Sequence, residues 1–143
     1  MTFASALEDA ERALRLLRAH PQVETSKLAA VGFSFGGAIA ALLGGREQAM
    51  RAVVLAAAIA RWRDSPDPAA TLAKAKARVL LIWGSEDDQV PIENAHRYIA
   101  ALTRTGVANE MVIVEGADHD FGPGRCRAEM TARVADFARE SFG

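Results

Sequence analysis

Gly32-Phe33-Ser34-Phe35-Gly36-Gly37 sets a serine midway between two glycines in a Gly-x-Ser-x-Gly pattern. Glycines on either side of one residue let a strand turn sharply into a helix, because no Cβ atoms collide. A serine on such a turn lifts its hydroxyl beyond the sheet. The N–H of the next residue, Phe35, then faces the oxygen of a carbonyl under attack. The same residues also read as a glycine-rich turn holding a phosphate at a helix amino end. A serine hydroxyl becomes a useful nucleophile only when a base takes its proton and a carboxylate orients that base. Two later segments offer such partners. Gly84–Pro91 carries Glu86, Asp87 and Asp88 just past an apolar run, and Gly116–Phe121 carries His119 just past the next. On periodicity alone the three carboxylates are equivalent. His20 closes a helix ahead of the serine and His96 falls inside one, so both are weaker candidates for the base. Asp118-His119-Asp120 has the residue types of a metal site, but three consecutive loop residues rarely converge on one ion. No metal and no cofactor is expected.

Serine, acid and histidine come together only if the elements before them end at one edge of a sheet. Leu28–Phe33, Arg51–Ala56, Arg78–Trp83 and Glu110–Glu115 read as short strands, apolar almost throughout, as parallel strands covered on both faces are. Gly36–Leu43, Pro68–Ala75, Ile92–Thr103 and Arg127–Ser141 read as the intervening helices. This alternation predicts an α/β fold, a three-layer sandwich around a mostly parallel sheet of about four strands. Residues 1–143 are expected to form a single minimal domain. Ahead of the first strand, Ser5 and Glu8 have capping-box spacing, and Leu7, Ala10, Leu14 and Leu17 form an apolar helical stripe ended by His20-Pro21. Trp62, in the segment between the second and third strands, is placed to line a substrate pocket.

The composition narrows the partners. Seventeen Lys+Arg against eighteen Asp+Glu leave a net charge of −1, which gives nucleic acid or an anionic membrane surface nothing to grip. The longest apolar run, Ala52–Ala60, has nine residues and is too short to span a bilayer. Acidic residues arrive by Glu8, unlike a secretory leader. The single cysteine, Cys126, permits no internal disulfide and fits a reducing compartment. A cytoplasmic protein acting on a small molecule is expected.

Taken together, the three motifs resemble those of the dienelactone hydrolase-like branch of the α/β-hydrolase superfamily, over nearly the whole chain. Gly32–Gly37 resembles its nucleophile motif, Gly84-x-x-Asp87-x-x-Val90-Pro91 its acid motif, and Gly116-x-x-His119-x-Phe121 its histidine motif. The resemblance implies Ser34 as nucleophile, His119 as base, Asp87 rather than its neighbours as acid, and the Phe35 N–H as oxyanion donor. It implies hydrolysis of a small-molecule carboxylic ester through an acyl-enzyme. The short segment 57–77, where the superfamily often inserts a lid, predicts small or unselective acyl groups. Two departures follow from the same resemblance. Dienelactone hydrolases carry cysteine where Ser34 stands, which points to a serine carboxylesterase. The segments also match only strands five to eight of the family fold and the helix before them. The second oxyanion donor, from a loop after an earlier strand, then has no counterpart here. Leu28–Phe33 accordingly becomes an apolar sheet edge, and a homodimer through that edge or the uncovered helix faces is expected. The alternative is a weakly active or inactive half-fold serving as an assembly or binding module.

Overall fold

The computed structural model describes residues 2–143. Four strands, β1 (Leu28–Phe33), β2 (Met50–Ala56), β3 (Arg78–Gly84) and β4 (Asn109–Val114), form one sheet in that spatial order, every pair parallel. Five helices accompany them: α1 (Phe3–Ala19), α2 (Phe35–Arg46), α3 (Pro68–Leu72), α4 (Glu93–Thr105) and α5 (Arg125–Phe142). Consecutive parallel strands need crossover connections, and α2, α3 and α4 provide them in turn. These three pack in series beside one another, with α1 against α2, while α5 packs against β2, β3 and β4. The predicted α/β layering is what the structure has, with a sheet that is wholly parallel.

The central strands carry the core. Val53, Leu55, Val79, Leu81, Ile82 and Trp83 are fully buried, as strands covered on both faces should be. α2 is apolar around its whole circumference and buried at Ala38, Ala41 and Leu42, since β1, β2, α1 and α3 all pack on it. α4 has a sharper division. Ala95, Tyr98, Ala101 and Leu102 face inward, and Gly106 ends the helix in the left-handed conformation that glycine adopts without strain. No helix among the described residues is long and apolar enough to cross a membrane.

Some local expectations shift. The capping box of α1 is formed by Thr2 and Ser5, not Ser5 and Glu8. The Thr2 side chain accepts the Ser5 N–H at 3.1 Å, and the Ser5 hydroxyl oxygen accepts the Thr2 N–H at 3.0 Å. Spacing alone allowed either start; packing of Phe3 against Phe35 of α2 extends the helix to include it. The predicted stripe is also only half used. Leu7 is buried, whereas Leu17 is half-exposed on an open groove between α1, α2 and β1. α3 stops at Leu72 rather than Ala75, and α2 runs on to Arg46.

Candidate active site

Ser34 follows β1 with φ 52 and ψ −117, a positive-φ conformation rare for a residue with a side chain. Its backbone is held on both sides. The Ser34 N–H donates to the Ala56 carbonyl at 2.9 Å, and the Ser34 carbonyl accepts the N–H of Gly37 at 3.0 Å and of Ile59 at 3.2 Å. Strand and helix pass closely here. A Cβ on Gly32 would lie 2.2 Å from the Gly36 carbonyl oxygen, and one on Gly37 would lie 2.3 Å from the Ala58 Cβ. A Cβ on Gly36 would meet nothing within 4 Å, so the helix-side glycine that contact demands is Gly37 rather than the motif's Gly36. The Phe35 N–H is the first of α2 and has no acceptor within the helix.

The loops after β3 and β4 bring the acid and the histidine to this turn. His119 Nε2 lies 3.1 Å from Ser34 Oγ, and His119 Nδ1 lies 2.9 Å from Asp87 Oδ2 and 3.1 Å from Oδ1. The side chains of His119 and Asp87 are 6% and 1% exposed. Asp87 is set apart from its neighbours by its other bonds: Oδ1 also accepts the N–H of Gln89 at 3.0 Å and of Val90 at 2.9 Å. These bonds satisfy a carboxylate that the fold removes from water. Glu86 and Asp88 are exposed and make no such contacts with His119. The two loops are also tied to each other, by the Glu86 N–H to the Ala117 carbonyl and the Gly116 N–H to Ser85 Oγ. Since a carboxylate only accepts, Nδ1 carries the imidazole proton and Nε2 is free to accept from the serine hydroxyl.

The remaining candidates fall elsewhere. His20 and His96 are exposed, and His20 Nδ1 accepts the Gln22 N–H. Asp118 Oδ1 accepts the Gly122 N–H. Among the described residues, no group of three or more His, Cys, Asp or Glu side chains could hold a metal ion. Trp62 stands half-exposed with its ring edge-on to Phe35, centroids 5.1 Å apart, next to the serine turn.

Two residues that no sequence motif singles out brace the turn from α4. The buried Tyr98 hydroxyl donates to the Ile59 carbonyl at 2.7 Å, and Ile59 in turn donates to Ser34. Burial pushes the Tyr98 hydroxyl's pKa well up, so it stays protonated as a donor. Asn94, one turn earlier on α4, accepts the Ala60 N–H at 2.9 Å and donates to the Pro91 carbonyl at 3.0 Å. The loop after β2 is therefore pinned to the acid loop on one side and the serine turn on the other. Four-residue spacing on a helix was the only available signal, and it marks any helix face.

The family model of the dienelactone hydrolase family matches residues 2–139. A Synechocystis protein described as a carboxymethylenebutenolidase is 28% identical over 122 residues, covering 82% of this chain and 49% of the relative. Among solved structures, a dienelactone hydrolase-like promiscuous phosphotriesterase from metagenomic libraries superposes with a TM-score of 0.79 at 24% identity, over 96% of this chain and 62% of its own. The esterase domain of a Rhodothermus marinus protein gives 0.80 at 21%, over 96% and 69%. Dipeptidyl peptidase 4 of Porphyromonas gingivalis gives 0.79 at 21%, over 94% of this chain and 22% of the peptidase. The chain thus spans about half the length of the curated relative it matches.

Proposed function

The chain belongs to the dienelactone hydrolase family, and on that premise we propose that it is a serine hydrolase cleaving carboxylic esters through an acyl-enzyme. The observation that carries this reading is the unbroken hydrogen-bonded series from Ser34 Oγ through His119 to Asp87, at 3.1 and 2.9 Å. Ser34 Oγ attacks the ester carbonyl carbon while its proton passes to His119 Nε2. Asp87 holds Nδ1–H and stabilises the imidazolium without taking its proton. The Phe35 N–H donates to the oxyanion. Collapse expels the alcohol, which takes the proton from Nε2, and leaves the acyl group on Oγ. Water, deprotonated by Nε2, then attacks the acyl carbon, releasing the acid and restoring Ser34.

Among the described residues between β2 and β3 the one helix is the five-residue α3. This supports small or unselective acyl groups, with Trp62 at the rim. Hydrolysis of short p-nitrophenyl esters, lost in Ser34→Ala, tests the reading. The absence of turnover in a folded wild-type protein would favour the alternative, an assembly or binding module. A reducing, cytoplasmic setting accords with the lone Cys126.

The second part of the proposal concerns assembly. β1 is an open edge: Val31 is 61% exposed and Phe33 44%. The Ser34 N–H points to β2, so by alternation Ala29, Val31 and Phe33 turn their N–H and C=O groups away from it. A second copy adding its own β1 antiparallel would satisfy those groups. Light scattering behind size-exclusion chromatography tests this, with a clean monomer at micromolar concentration counting against it.

A further inference from the structure

We propose that Phe33, the residue immediately before the serine, positions His119 by giving the imidazole an aromatic wall. The inference rests on the serine-hydrolase reading for its kinetic consequence, though not for its geometry. The Phe33 and His119 ring centroids are 4.9 Å apart with the planes inclined at 41°. Both ring nitrogens of His119 are engaged, Nδ1 with Asp87 and Nε2 with Ser34. Those two bonds lie in the plane of the ring and leave its tilt about the line joining them to be set by what touches its faces. Phe33 supplies such a contact. Its aromatic face carries partial negative charge, which attracts the imidazolium formed as Ser34 gives up its proton more than it attracts neutral imidazole. An aliphatic side chain fills space but offers no such preference.

The half-exposed position makes the role separable from folding. Phe33 stands on the open edge of the sheet beside a groove of about 520 Å³ shared with Val31, Phe121, Met130 and Val134. Truncating it removes little buried contact. Between Gly32 and Ser34 the sequence offers position 33 as an ordinary packing residue. What distinguishes it is the return of the β4 loop, 86 residues later, to lay His119 against its ring.

Phe33→Leu and Phe33→Tyr separate shape from aromatic character. In the leucine variant kcat should fall about three- to tenfold with KM within about twofold, while the tyrosine variant stays within about twofold of wild type. Proton NMR of the histidine ring supplies a readout that needs no turnover. The proton bridging Nδ1 and Asp87 should give a sharp downfield resonance in wild type and Phe33→Tyr, broadened in Phe33→Leu. Equal resonances and equal kcat in all three proteins would overturn the role of Phe33. Loss of ester turnover in wild type would instead remove the hydrolase reading, and the NMR comparison would still decide the positioning role.

Discussion

β3 and β1 are both short apolar runs in one parallel sheet, yet they meet opposite surroundings. β3 lies between β2 and β4, with Val79 through Gly84 buried without a break. β1 has β2 on one side only, and alternate residues, Ala29, Val31 and Phe33, are exposed. Composition does not separate the two; their rank in the sheet does. The candidate site draws on both edges of the sheet as well as on β3, since β4 also has a single neighbour and its Ile113 is 42% exposed. Asp87 and His119 follow β3 and β4, where the loops bond to each other and bury the ionisable pair. Ser34 follows the open strand and is held in its strained conformation by the loop after β2 and the α4 residues behind it. The paired loops fix His119 and Asp87 against each other, and the serine side depends on a brace.

Breaking the pair of His119 and Asp87 should cost most. Asp87→Asn keeps the shape but leaves a side chain whose amide no longer stabilises the imidazolium, and turnover of p-nitrophenyl acetate should fall about 10⁴-fold. Asp88→Asn, one residue on and exposed, should leave it within about twofold. Next comes the elbow. Gly37→Ala places a Cβ against Ala58 and should destabilise the fold by about 1–3 kcal/mol in urea melts. Gly36→Ala, with open space around it, should be neutral or gain up to about 1 kcal/mol from helix propensity. A smaller effect is expected at the brace. Tyr98→Phe leaves the Ile59 carbonyl without its donor, which should cost about 1 kcal/mol and slow acylation of Ser34 more than it alters KM. The mildest change is at the open edge. Val31→Lys should shift the chain to monomer by light scattering while moving stability by no more than about 0.5 kcal/mol. If Val31→Lys instead unfolds the protein, β1 is not the open edge described here.

The fold was legible because each strand–helix unit is local: apolar runs, loop residues and helical patterns follow one another along the chain. The three motifs were legible for the same reason. The residue types at Ser34, Asp87 and His119 lie in contiguous signatures at strand ends, and the structure brings them within hydrogen-bonding distance. Periodicity left Glu86, Asp87 and Asp88 equivalent. The resemblance to a known family chose among them, and the amides of Gln89 and Val90 give a physical reason for that choice. What stayed hidden depends on approach across long separations. Tyr98 and Asn94 look like any buried helix positions until the loop at 59–60 lies against them. The need for glycine at 37 rather than 36 comes from Ala58, and the exposure of Leu17 from the open groove between α1, α2 and β1.

The central claim is that Ser34 is a nucleophile activated by His119. A fluorophosphonate probe followed by intact-mass measurement tests it most directly. Wild-type protein should gain one adduct per chain, mapped to Ser34, and Ser34→Ala none. An unmodified wild-type chain, or an adduct that persists in Ser34→Ala, would contradict it.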